Sequence, residues 1–457
     1  MKKFLFYVIT VLFMTGISLQ SCSDDDKITD EGTNGEKKEV NTDSSDLADL
    51  TIMVYAMTDG DFLDYDTEDA IKSAYENLRK DSLLSKRGGK VNVIVQVKFP
   101  AIYRTKKVDP DHIYMATPGT TYRFVMDPAD SAWYANNDFS QLPDSCLIGR
   151  NDYNMSSQAN FEDFLRYAKT NCPAKNYVLA FDGHGGGYRP YDDYSVWDNT
   201  GTRTVLYDSD LFFPSIFIDS INNDYKGVLA SLKYILNAKT IRRSIENQDM
   251  HFKVMDFNLC LCNAMEVLGE MKNCTDYFIA STHTSVTVKH YIDIIAKQMY
   301  DNLDDEEELY DALCNYTYWK YAAEVLEENS KIDLYDFYIK GDTTIWDKVA
   351  SHENVGNFDY CITKTEYVDD IFDVIERFTN VLKANSNDGA IKKAVDECHW
   401  YDDEYWPYYD ITEFMWLVKE YLTENSEMEG IWNDYYTLLK KAARSYNNSQ
   451  AWNMKAD

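Results

Sequence analysis

A histidine and a cysteine, each directly behind a short apolar run, are the residues of this chain best suited to chemistry. Asn176–Tyr188 reads Asn-Tyr-Val-Leu-Ala-Phe-Asp-Gly-His-Gly-Gly-Gly-Tyr, so His184 follows a run ending at Phe181 and precedes three glycines. His251–Met271 carries the run Phe252–Leu259 and then Cys260. An imidazole moves protons near neutral pH, and a thiolate is a strong nucleophile. Brought together, they would form a nucleophile and base pair able to cleave an acyl bond. His184 by itself reads equally well as an incidental member of a glycine-rich turn. Cys260 is what tips the balance.

Both runs have the pattern of strands buried on two faces. Ligands of parallel α/β sheets gather beyond the carboxyl ends of the strands, where His184 and Cys260 would lie. The glycines after His184 let a substrate approach the backbone N–H groups closely. From Leu261 the apolar positions Leu261, Ala264, Met265 and Leu268 follow helical spacing. This predicts a helix starting behind Cys260, whose N-terminus would favour thiolate. Cys262 falls in the first turn of that helix, facing away from Cys260. Metal ligation by Cys260-x-Cys262 lacks a matching second pair, so no metal site is expected.

These stretches resemble the clostripain family of cysteine peptidases, which share a caspase-like α/β fold with gingipains and legumain. That family has a strand-end His-Gly motif and a cysteine behind a second strand, in a Phe-Asp-Ala-Cys-Leu-Met-Gly-type motif. The matching residues are His184-Gly185, then Phe257-Asn-Leu-Cys260-Leu-Cys-Asn263, with Glu266-Val267 six residues beyond the cysteine. Weaker echoes are Thr51–Met57 before Asp59, Gly201–Tyr207 with Asp208, and Ser330–Leu334. In the family's order they cover most of residues 50 to 420.

The resemblance implies an endopeptidase in which Cys260 attacks the scissile carbonyl and His184 supplies a proton to the departing amine. It implies an oxyanion held by the backbone N–H groups of Gly185 and Cys260. Asp182 could orient His184 but is given no role. Relatives cleave after arginine or lysine because carboxylates line the specificity pocket, one of them two residues before the cysteine. Here Asn258 holds that position, and Thr282 and His283 stand where two acidic residues are common. A weakened preference for basic residues is therefore expected. Asp256 points the same way as Asn258 but lies roughly 7 Å deeper along the strand, so it does not restore the charge. The competing reading is a catalytically impaired relative acting as a surface binding protein. No cofactor is required by this chemistry, and calcium is the one ion left open.

Around the pair, strands alternate with helices. Thr51–Met57, Lys90–Phe99, Arg203–Tyr207 and Tyr277–Ser281 read as further strands. Thr67–Arg79, Phe161–Thr170 and a segment around Leu229–Asn247 read as helices. The expected fold is α/β, a caspase-like and mainly parallel sheet with helices on both faces, spanning residues 47–287. Residues 288–457 are expected to be chiefly helical and packed on the core, with striped segments at Glu306–Glu328, Tyr367–Ala384 and Ile411–Thr423. The aromatic, acidic stretch His399–Phe414 reads as packing between helices or as a surface for glycan or peptide.

The N-terminus pairs Lys2-Lys3 with an apolar run from Phe4 to Leu19 and then Gln-Ser-Cys22. This is a secretory signal over residues 1–21, and the sequence before Cys22 resembles a lipoprotein-processing site. Lipid at Cys22 would be the membrane contact, anchoring the protein in the outer membrane, exposed at the cell surface. The acidic run Ser23–Asp26 resembles a surface-export signal. Residues 22–46 are polar and form a flexible tether.

The net charge of −32, from 77 acidic against 45 basic residues, opposes nucleic acid as a partner and leaves a peptide or protein substrate. Setting aside Cys22 and Cys260 leaves seven of the nine cysteines, an odd number with irregular spacing. That is no disulfide framework, although pairs among Cys146, Cys172, Cys274, Cys314, Cys361 and Cys398 are open.

Overall fold

A computed structural model describes residues 47–57, 63–99, 120–129, 142–150, 153–183, 185, 204–207, 235–282, 289–327, 359–386, 388–398, 409–423 and 425–447. The signal, Cys22 and the tether lie outside these residues, as does most of the segment between the two central strands.

Five strands form the middle of the sheet, all parallel. They are β1 (Ala48–Met57), β2 (Val91–Phe99), β5 (Ala174–Gly183), β8 (Phe252–Asn258) and β9 (Thr275–Ala280), in the spatial order β9-β8-β5-β1-β2. The expected parallel core is present, but its flanks are not parallel. Beyond β2 lie β3 (Thr120–Val125) and β4 (Leu147–Arg150). Beyond β9 lie β10 (Asp359–Lys364) and β11 (Ala443–Asn447), and each of these pairings is antiparallel. These flanking strands escape a reading of periodicity because edge position, more than a run of apolar residues, sets their composition.

Helices cover both faces, as a parallel sheet requires. On one face, α1 (Leu63–Lys80) and α5 (Tyr291–Asn302) pack with α6 (Glu306–Glu327) against Leu50, Ile52, Val54, Val178, Ala180 and Val254. On the other, α2 (Gln158–Asn171) places Phe161 and Phe164 each 5.1 Å from the ring of Tyr55. A row of rings then crosses four adjacent strands. Tyr55 and Phe181 are 6.0 Å apart, Phe181 and Phe257 5.0 Å, and Phe257 and Phe278 4.9 Å, all edge to face. Each such pair adds about 0.5–1.5 kcal/mol beyond area burial, and slipping one strand by a residue would turn its ring to the opposite face. The row therefore holds the β5–β8 register that matters at the site.

Between β5 and β8, β6 (Thr204–Tyr207) pairs with β7 (Ile235–Asn237), and α3 (Ala238–Asn247) follows. The expected helix from Leu229 is thus described only from Ala238, because Ile235–Asn237 is committed to the ladder with β6. Asn237 caps the helix through its side-chain oxygen, which accepts from the Thr240 N–H.

The chain divides into two compact units. The first contains Glu366–Ala442, with α7 (Val368–Ala384), α8 (Gly389–Glu397), α9 (Ile411–Tyr421) and α10 (Ser426–Ala442). The second carries the sheet together with α5, α6, β10 and β11. In the second unit α5 and α6 complete one face of the sheet. Of the stretch 399–414, residues 399–408 lie outside the described part. Phe414 packs edge to face on Phe378 at 5.6 Å within the helical unit.

Candidate active site

β5 and β8 lie side by side with Phe181 level with Phe257 and Asp182 level with Asn258. Continuing each chain by two residues reaches His184 and Cys260. His184 itself lies outside the described residues, but its neighbour Gly185 does not. A Cβ built on Gly185 would stand 2.6 Å from the carbonyl oxygen of Cys260, 2.7 Å from Leu259 Cβ and 2.9 Å from the Cys260 nitrogen. Only a residue without a side chain can lie against the cysteine's backbone so closely. Gly185 and the Cys260 backbone thus lie against each other beyond the carboxyl ends of β5 and β8.

The segment behind Cys260 departs from expectation. The helix α4 begins at Met265 and runs only to Met271. Leu261 adopts φ +60°, which ends the strand in a turn instead of starting a helix there. The Cys262 thiol donates to the Cys260 carbonyl at 3.3 Å, and the Asn263 N–H donates to Ser281 O at 2.8 Å. Those contacts tie the chain to the end of β9, and Leu261 and Cys262 are buried by that turn, not by a helical face. Cys260 therefore receives no helix N-terminus, and Cys262 does not sit in a helical turn.

Eight cysteines are described and none is in a disulfide, so the open disulfide pairs are not formed. Six of them are buried, leaving Cys146 and Cys260 half-buried. Burial pushes the thiols of Cys172 and Cys274 up to about 12 and that of Cys314 up to about 11, so they stay protonated near neutral pH. Cys146 lies beside β4 at the sheet edge, far across the strand order from β8. Cys260 is the accessible thiol at the carboxyl ends of the central strands.

Two buried carboxylates line the strands below the site. Asp182 Oδ2 accepts from Thr67 Oγ1 at 2.6 Å and from the Tyr291 hydroxyl at 3.5 Å. Asp256 accepts from the Tyr316 hydroxyl at 2.5 Å and from Lys320 Nζ at 2.9 Å. Lys320 also stands 4.1 Å from the Tyr360 ring centroid. Burial first, and the neighbouring carboxylates second, push the Tyr291 and Tyr316 hydroxyls well above the ordinary phenol range. Both remain O–H donors. The Asp256–Lys320 pair went unnoticed in the sequence because 64 residues separate its members.

Asn258 is 1% exposed, and neither its Nδ2 nor its Oδ1 has a hydrogen-bond partner among the described residues. Thr282 Oγ1 accepts from Asn263 Nδ2 at 3.1 Å, while His283 lies outside the described residues. Among the described residues no group of three or more His, Cys, Asp or Glu side chains could hold a metal ion. No helix among them is long and apolar enough to cross a membrane.

A family model described as the clostripain family matches residues 137–451. No curated protein matches the chain. Among solved structures, the chain is similar to a secreted C11 cysteine protease of Bacteroides thetaiotaomicron named iotapain, at 13% identity and a TM-score of 0.50. That match covers 88% of this chain and 87% of the other. A complex of a secreted C11 protease of the same organism with an irreversible peptide inhibitor matches at 14% identity and a TM-score of 0.48, covering 88% and 85%. An inactive zymogen C11 protease of Parabacteroides distasonis matches at 12% identity and a TM-score of 0.45, covering 88% and 84%.

Proposed function

The chain belongs to the clostripain family of cysteine peptidases, and from that premise we propose an exported, lipid-anchored endopeptidase working through a Cys260–His184 dyad. Its substrates are peptides or proteins. The observation that carries the dyad is the approach of Gly185 to the Cys260 backbone, which sets the residue after His184 against the nucleophile.

In this reaction the Cys260 thiolate attacks the scissile carbonyl. A tetrahedral oxyanion forms beside the N–H groups of Gly185 and Cys260. His184 then protonates the departing amine, and water hydrolyses the thioester. Preorganised backbone donors of this kind contribute roughly 3–4 kcal/mol to the barrier reduction. Asn258, Thr282 and His283 line the pocket for the residue before the scissile bond. None supplies a fixed negative charge, so selectivity for arginine and lysine is weak.

Cys260→Ala and His184→Ala should each abolish peptide hydrolysis while leaving the melting temperature nearly unchanged, and Cys260→Ala should stop labelling by an electrophilic thiol probe. Full hydrolysis by the Cys260→Ala protein would refute the dyad. A wild-type protein that binds peptides and cleaves none would be a binding protein instead. Export and anchoring rest on the apolar run Phe4–Leu19 and the sequence ending at Cys22, with support from a similar structure described as a secreted protease. Mass spectrometry of the mature N-terminus should find acylated Cys22, and an unmodified N-terminus would point to a released protein.

A further inference from the structure

Two residues beyond Cys260 the chain carries a second thiol, and the turn between them holds the two together. Leu261 has φ +60°, so the chain folds back at that residue instead of continuing β8. With the middle residue in the left-handed region, the Cα atoms on either side stand about 5.4 Å apart, the helical spacing in mirror image. A disulfide closes over Cα separations of roughly 4.4–6.8 Å, so this spacing admits one. The Cys262 sulfur already lies 3.3 Å from the Cys260 carbonyl oxygen. The turn is pinned from behind, where the Asn263 N–H donates to Ser281 O at 2.8 Å and Asn263 Nδ2 donates to Thr282 Oγ1 at 3.1 Å.

Exposure divides the pair. Cys260 is half-buried, whereas Cys262 is 0% exposed. A small oxidant in solution therefore meets Cys260 first and reaches Cys262 only through it. Cys361 on β10 is no rival partner. It is level with Ala280 of β9, which is level with Phe257 of β8, so two strand spacings, about 9–10 Å, separate it from β8. Beyond about 7 Å no disulfide closes without moving the backbone.

We propose that Cys260 and Cys262 form a redox-active dithiol that reacts with hydroperoxides and closes to a reversible disulfide. This rests on the reading of Cys260 as the nucleophile and gives its thiolate a second reaction. The Cys260 thiolate attacks the hydroperoxide, so that an S–O bond forms and the O–O bond breaks. The alkoxide or hydroxide released takes up the proton that the thiol had lost. The sulfur is oxidised to a sulfenic acid and the peroxide is reduced to an alcohol or water. The Cys262 sulfur then attacks the Cys260 sulfur. The S–S bond forms, the S–O bond breaks, and hydroxide leaves as water with the Cys262 proton. Two thiols and one hydroperoxide thus give a disulfide, one alcohol or water, and one further water. Without Cys262 the sulfenic acid stays open to a second peroxide and to irreversible sulfinic acid. A bridge closing so small a ring is strained, so a dithiol in solution reopens it.

In the test, the full chain is treated with hydrogen peroxide and the excess is removed with catalase. Peptide hydrolysis and the mass of the alkylated fragment carrying both cysteines are then measured before and after dithiothreitol. The wild type should lose hydrolysis together with both alkylatable thiols of that fragment, and regain most of each with dithiothreitol. Cys262→Ser keeps a donor for the Cys260 carbonyl but cannot bridge. It should hydrolyse the peptide at near the wild-type rate, lose activity to peroxide as fast, and regain little, its Cys260 being found as sulfinic acid. In Cys260→Ala, Cys262 should stay reduced. A wild-type fragment without the disulfide, equal recovery in wild type and Cys262→Ser, or oxidation of Cys262 in Cys260→Ala would overturn the proposal. The disulfide is read by mass in the wild type, so the test does not depend on the folding of either variant. A disulfide in a chain that hydrolyses no peptide refutes the peptidase and keeps the dithiol, whereas hydrolysis without the disulfide refutes the dithiol alone.

Discussion

Replacing Gly185 by alanine is the sharpest perturbation of the site. The new methyl group would stand 2.6 Å from the Cys260 carbonyl oxygen and 2.9 Å from its nitrogen, both backbone atoms unable to rotate away. Ordinary contact begins near 3.4 Å, so Gly185 and the cysteine turn must separate by about 0.8 Å. Leu259 cannot yield instead, since its own side chain is buried and its Cβ lies 2.7 Å from the added group. A misplacement on the order of 1 Å between reacting groups costs about 100-fold in rate, or about 2.7 kcal/mol. The expectation is a loss of about that size in kcat, with KM changed much less and a melting temperature near the wild type's. Steady-state kinetics on a cleaved peptide, beside a thermal melt, measures both. Unimpaired kcat in a folded Gly185→Ala protein would refute the close approach, and with it the structural support for the dyad.

Lys320→Met should lower stability by about 3–5 kcal/mol by leaving the Asp256 carboxylate buried with only Tyr316, and Lys320→Met/Asp256→Asn should recover part of that in urea unfolding. If the single and double variants unfold at the same urea concentration, Asp256 does not depend on Lys320. Exposed His251 has its pKa raised chiefly by its hydrogen bond to Asp276, at 2.7 Å. A raised native value adds stability that is complete below about 6.5 and lost as pH rises through that value, so His251→Gln should flatten the decline of the urea midpoint above pH 6.5. An identical pH profile in the variant would show the pair to be without effect.

The extent of what the sequence could settle follows from the range of each interaction. Tyr177–Phe181 and Phe252–Leu259 announce buried strands because both faces of each are apolar, and a strand's end is a local fact. His184 and Cys260 were therefore legible as strand-end residues. The helical stripes of α6, α7 and α9 were legible for the same reason, since a 3.6-residue period is written within one element. The sequence could not show that Leu261 turns into the left-handed region, because its apolar spacing is the same whether a turn or a helix buries it. Nor could it show that Asp256 pairs with Lys320, or that Cys361 and Arg444 lie on strands completing the sheet. Those contacts join residues far apart in the chain, and only the folded arrangement decides which candidate partners meet. Asn258 combines the two. Its type and its place before the cysteine were visible at once. That both its polar atoms are buried with no partner among the described residues is decided by what the neighbouring strands do not supply.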